Sequence, residues 1–146
     1  MRPDVSRTLH GVGMNLLMNV APDTKTPFGL QTVNLAGALA LMASEESERA
    51  ADRLVTENQI VRELLSDGLS LAGDARAAVE VALATPPAPN LRVSSLQAEN
   101  DALRRGLIEL HSAAESGETP EAAAFNERIW AELIESTRRR QFQVRM

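Results

Sequence analysis

The 146-residue chain contains no cysteine and no tyrosine. The first absence excludes disulfides, thiol catalysis and cysteine-ligated zinc, and it fits a cytoplasmic protein. Aromatic residues are limited to Trp130, Phe28, Phe125 and Phe142. The apolar content is therefore carried mainly by Leu, Ala, Val and Met, which favours helices over sandwiches or barrels. Histidine is nearly absent too. His10 and His111 are the only two, and neither follows a glutamate by three residues. The paired Glu-x-x-His motifs of a di-iron helix bundle are thus missing, and neither a metal nor another cofactor is expected. No stretch reaches the roughly 18 uninterrupted apolar residues of a membrane-spanning helix. Val12 to Ala21 is moderately apolar, but Asn15 and Asn19 interrupt it and Asp4 stands where a leader peptide carries positive charge. A cleaved signal is therefore not expected.

An excess of positive charge is also lacking. Fifteen Lys and Arg face twenty Asp and Glu, a net charge of −5. That balance argues against nucleic acid or an anionic membrane as a partner. The segment His10-Gly11-Val12-Gly13 is a lone Gly-x-Gly with no preceding strand, third glycine or Lys-Ser pair, so it reads as a weak point in a helix and not as a phosphate loop. No Gly-x-Ser-x-Gly turn or other nucleophile motif accompanies His111.

What the chain does have is a heptad seam. Leu96, Leu103 and Leu110 recur every seven residues, and Val93, Asn100, Leu107 and Ala114 form the second series three positions earlier. This is an a/d pattern with leucine at d and one asparagine at a. Glu99 at g and Arg104 at the following e complete a pattern that resembles a parallel two-stranded leucine zipper over about three heptads. Gly106 at a g position departs from it, and no basic DNA-binding region precedes it. A buried amide needs a partner. Asn100 can find one in a second chain, or in Asn58 or Asn126 of the same chain. Short helix connections, which place antiparallel helices side by side, favour the second.

Long helices are predicted at about 31–67, 91–115 and 120–140. Asp4 caps a first helix over 4–20, whose face is Val5, Leu9, Val12, Leu16 and Val20. Pro22, Asp23, Thr24 and Pro27 end it. The run VNLAGALALMA is apolar on every side and predicts burial in a bundle centre. From Ser44 the pattern becomes amphipathic, with Ala51, Leu54, Asn58, Val61 and Leu65 on one face, and Gly68 is the expected stop. Asp74 reads as the cap of a shorter helix to Ala84. The proline-rich stretch 85–90 reads as a stiff linker between two helical halves. Ser94 with Gln97 forms a capping-box pattern. Thr119-Pro120-Glu121 opens the last helix after Gly117.

Residues 54–65 match residues 96–107 at a constant offset of 42. Each copy places an asparagine in an apolar seam and an arginine four residues on: Asn58 with Arg62, and Asn100 with Arg104. Shared periodicity alone can produce such a match, and so can duplication. Asn58, Asn100, Asn126, Arg62 and Arg104 are accordingly the candidates for a polar layer or an interaction site. Glu109, His111 and Glu115 form the one cluster with titratable chemistry. Arg138, Arg139 and Arg140 complement a helix C-terminus or offer a site for a phosphate, an acidic partner or RNA. Met14, Met18 and Met42, with Ala36, Gly37, Ala38 and Ala40, form close helix packing or a space for an apolar ligand such as an acyl chain.

The expected architecture is one all-α domain over 1–146, an antiparallel up-and-down bundle of four to five helices. The expected function is a non-enzymatic helical interaction protein: an adaptor, chaperone or regulatory subunit acting through helix–helix contacts. Its partner is expected to be a second copy, in a homodimer, or another helical protein. A bundle that binds an apolar small molecule is the alternative, and an enzyme the remote one.

Overall fold

The computed structural model describes residues 4–143. Among them there is no strand, and the all-helical expectation holds. Helix α1 covers Val5–Asn15 and continues through a π-helical segment, Leu16–Val20, into the turn Ala21–Asp23. Helix α2 runs unbroken over Pro27–Asp67, α3 over Arg76–Leu83, α4 over Val93–Ser116 and α5 over Pro120–Arg139. The described chain falls into two compact units, one of residues up to 50 with those from 141 onward, the other of 51–140.

Local chemistry explains several boundaries. Asp4 accepts a hydrogen bond from the Arg7 amide and caps α1. Thr119 does the same for Ala122, with Pro120 at the first helical position. Other boundaries differ from expectation. Pro27 does not belong to a terminating loop; it opens α2, and Thr26 accepts from the Gly29 amide as its cap, the usual place for proline in a helix. The Ser94–Gln97 capping box is not used, because α4 begins at Val93 with Arg92 at its cap, two residues before Ser94. Asp74 lies within a 3-10 turn, Gly73–Ala75, and α3 starts after it. Gly68 does end α2, but its backbone is ordinary right-handed helix. Its lack of a side chain makes room for Phe125, whose ring carbons lie 2.5 Å from where a Cβ would stand.

In the first unit, α1 packs against the beginning of α2. The Ser44 hydroxyl donates to the Ser6 carbonyl at 2.8 Å, and a Cβ on Gly13 would lie 2.8 Å from the Gly37 carbonyl oxygen. Gly13 is therefore a point of close contact between the two helices. The apolar run on α2 is not buried all round. Gly37, Ala38 and Leu41 are buried, but Leu35 and Leu39 are 60% and 54% exposed, and Phe28 is 80% exposed. A two-helix hairpin covers only one stripe of each helix, which leaves the opposite stripe open.

The core of the second unit gathers Val61, Leu64, Leu65, Val79, Ala82, Leu103, Leu107, Leu110, Phe125 and Ile129. These come from α2, α3, α4 and α5, so the leucines of the heptad seam are buried within the chain. Gly106, the departure from the zipper pattern, is buried where α3 crosses α4. A Cβ there would collide with the Cβ of Ala82.

Candidate functional site: a polar layer between two like-directed helices

At the centre of the second unit, Asn100 donates to the Asn58 side-chain oxygen at 2.8 Å, with both residues buried. Leu65 lies against Gly106 and Gly68 against Leu110. The separation between partners is thus 42, 41 and 42 residues along the pair, so the end of α2 and α4 run in the same direction. Asn100 therefore meets Asn58, as one of its three candidate partners, but on a parallel helix. The antiparallel neighbour assumed from short connections is instead α5. There Asp67 pairs with Arg128 and Glu57 with Ser136, partner numbers that rise as those of α2 fall.

The parallel direction explains the ion pairs. In a parallel coiled coil, a g residue of one helix reaches the e residue of the next heptad on the other. Here Arg104 Nη2 donates to Glu57 at 3.1 Å, and Arg62 Nη2 donates to Glu99 at 2.7 Å. These two bonds exchange under the 42-residue offset. The zipper pattern is satisfied inside one chain, with residues 57–62 standing where a second zipper strand would stand.

Each half of the layer is tied further. Arg104 Nε donates to Asn100 and its Nη2 to the Ser136 hydroxyl, which itself donates to Glu57. Arg140 also pairs with Glu57. On the other side, Arg62 donates to the Leu83 and Thr85 carbonyls at 3.0 Å, capping the end of α3. Glu99 accepts from the Ala88 amide at 2.9 Å and from Asn58 at 3.2 Å. The 85–90 stretch is thereby fastened to the layer by its backbone; it connects α3 and α4 within one compact unit.

Burial pushes both carboxyls toward neutrality, but their partners outweigh it. The Arg140 charge and bonds from Arg104, Ser136 and Arg140 hold Glu57 below the ordinary glutamate range. Bonds from Arg62 and the Ala88 amide, the Arg62 charge and the Asn58 bond do the same for Glu99. Glu132, paired with Arg139, is shifted the other way: burial dominates and raises it. All four oxygens of Glu57 and Glu99 accept at least one hydrogen bond, so the chemistry of the layer is directional pairing.

The other candidates separate. Asn126 bonds His111 at 2.9 Å and takes no part in the Asn58–Asn100 layer. His111 lies 3.5 Å from Glu115 and stands edge-on to Trp130, ring centres 5.2 Å apart. The recess beside it holds about 150 Å³, below the roughly 300 Å³ at which small-molecule pockets begin. Glu109 is not part of that cluster. It lines a groove of about 550 Å³ between α3 and α4, with Ala77, Ala78, Val81, Ala102 and Arg105. The three terminal arginines are not one patch: Arg138 pairs with Glu135, Arg139 with Glu132 and Arg140 with Glu57. Glu99 entered sequence reasoning only as the g position of the zipper pattern, and Glu57 and Ser136 were not among its candidates. The 42-residue repeat carried the signal for the two glutamates, since it aligns Glu57-Asn58 with Glu99-Asn100. Ser136 had no signal.

Among the described residues no cluster of His, Asp and Glu is arranged to hold a metal ion, and no helix is long and apolar enough to cross a membrane. Comparison with protein-family models, curated proteins and solved structures gives no match.

Proposed function

We propose that this protein is a non-enzymatic interaction protein that binds through helix–helix contacts. The observation that carries this reading is the open stripe on α2. Phe28, Leu35 and Leu39 are 80%, 60% and 54% exposed, at spacings of seven and four residues, which is one face of a helix. No charged residue occurs from Thr26 to Ser44, so this face suits an apolar, uncharged stripe on a partner helix. The buried charges support the same reading, because they are consumed in holding α2, α4 and α5 together. A cytoplasmic place of action accords with the cysteine-free composition.

The test is photo-crosslinking in living cells from an unnatural side chain at Leu35 or Leu39. A discrete protein adduct at both positions, absent when the probe stands at exposed Glu63, is expected. Absence of any adduct at either position would overturn the interaction reading. The apolar-ligand reading draws on the groove between α3 and α4, whose volume is in the ligand range. Its rim residues Val81 and Ile108 are 73% and 66% exposed, however, whereas small-molecule pockets bury most of their ligand.

A further inference from the structure

The groove between α3 and α4 has a property that the α2 stripe lacks: its rim carries one charge of each sign. Arg105 and Glu109 both line it and both are exposed. Among the described residues neither makes an ion pair or a side-chain hydrogen bond, although they stand four apart on one helix. Every other arginine of α4 and α5 has an acidic partner, Arg104, Arg128, Arg138 and Arg139, and so has Arg140 just after α5. Between and beside the two rim charges lie Ala77, Ala78, Ala102 and Gly106, with Val81 and Ile108 exposed at the edge.

We infer that this groove binds a second copy of the same chain about a two-fold axis at the level of residue 107. Positions 105 and 109 are equidistant from that level. Two α4 helices crossing there in opposite directions place Arg105 of each copy beside Glu109 of the other. One contact of this kind, made twice, is what a closed isologous interface requires. The alanines and Gly106 keep the surface low enough for close approach, and Val81 and Ile108 are covered in exchange. A foreign helix would need an acid and a base at matching spacing, whereas a second copy carries both in register. The inference rests on the interaction reading above and names one partner for it. The two fail separately, because the cross-linking test reads α2 and this one reads α4.

Sedimentation equilibrium of the full chain over a concentration series tests it. Wild type is expected to dimerise reversibly. R105E and E109R each set like charges face to face twice and are expected to weaken the dimer by at least about tenfold. The double variant R105E/E109R recreates both pairs with the signs exchanged and is expected to restore the wild-type constant to within about threefold. Both positions are exposed and unpaired, so the fold should tolerate the changes. A second measurement does not depend on them: the chain has no cysteine, and I108C is expected to give an interchain disulfide on oxidation where E63C does not. The inference is overturned by a wild type that stays monomeric, by a dimer indifferent to the single exchanges, by exchanges that the double variant fails to rescue, or by no I108C cross-link. A groove filled by a co-purified small molecule, seen as excess mass, would overturn it as well.

Discussion

Replacing Asn100 by leucine separates the two partners that a heptad asparagine can have. Asn100 is 1% exposed and makes two side-chain bonds, to Asn58 at 2.8 Å and from Arg104 Nε at 3.0 Å. The substitution leaves the Asn58 oxygen buried without a donor, which costs about 1–3 kcal/mol. Arg104 keeps Glu57 and Ser136 and is partly hydrated, so its loss is small. Leucine gains some burial energy, but it enters a packed seam where added volume costs about 1–3 kcal/mol. A net loss of about 1–3 kcal/mol is expected. Asn58→Leu should cost more, since Leu96 and Glu99 also lose a donor. The double variant removes both orphaned amides, so its cost should fall short of the sum by about 1–2 kcal/mol. Urea denaturation of the four proteins supplies the cycle, and solution mass should be the same for all four. Additive costs, or a changed assembly state in Asn100→Leu, would refute the intramolecular pairing.

The polar layer also sets an acid limit. Glu57 and Glu99 have lowered pKa values in the folded state, so their stabilisation is complete above the unfolded glutamate value of about 4.3 and is lost as pH falls through the lower folded values. A thermal-melting series should show this loss, and it should be shallower in Glu57→Gln. That variant is expected to cost about 2–4 kcal/mol at pH 7, because it removes the charge shared by Arg104 and Arg140; a loss below about 0.5 kcal/mol in denaturant titration would count against the layer. Glu132 acts in the opposite sense, with its raised pKa making its ionised form unfavourable, so Glu132→Gln should be neutral or stabilising in a melting experiment above pH 6. Gly106→Ala should destabilise by about 1–3 kcal/mol despite alanine's better helix propensity, because the new methyl meets Ala82. A stabilised variant would mean that α3 does not cross there. The double substitution Leu35→Ser and Leu39→Ser should leave the unfolding free energy from denaturant titration within about 0.5 kcal/mol of wild type, as expected for exposed positions.

The sequence by itself determined that the chain is helical, where most of its helices lie, and that the leucines of the heptad seam are buried. Those conclusions rest on local rules: a 3.6-residue period, caps such as Asp4 and Thr119, and prolines that only a first turn accepts. It also held the polar layer in outline, since the 42-residue offset pairs Glu57-Asn58 with Glu99-Asn100 and Arg62 with Arg104. Only the tertiary structure decided what meets what. Asn100 in an a/d seam is equally suited to a second chain, to Asn126 or to Asn58, because periodicity specifies a face and not its partner. The choice fell to the path of the chain: α3 carries it back along α2, and α4 then sets out beside α2 in the same direction. Ser136 and Arg140 join Glu57 only because α5 returns across that layer. The stripe of Phe28, Leu35 and Leu39 was decided the same way. Its hydrophobicity is written in the sequence, but whether another helix covers it depends on how many helices arrive there.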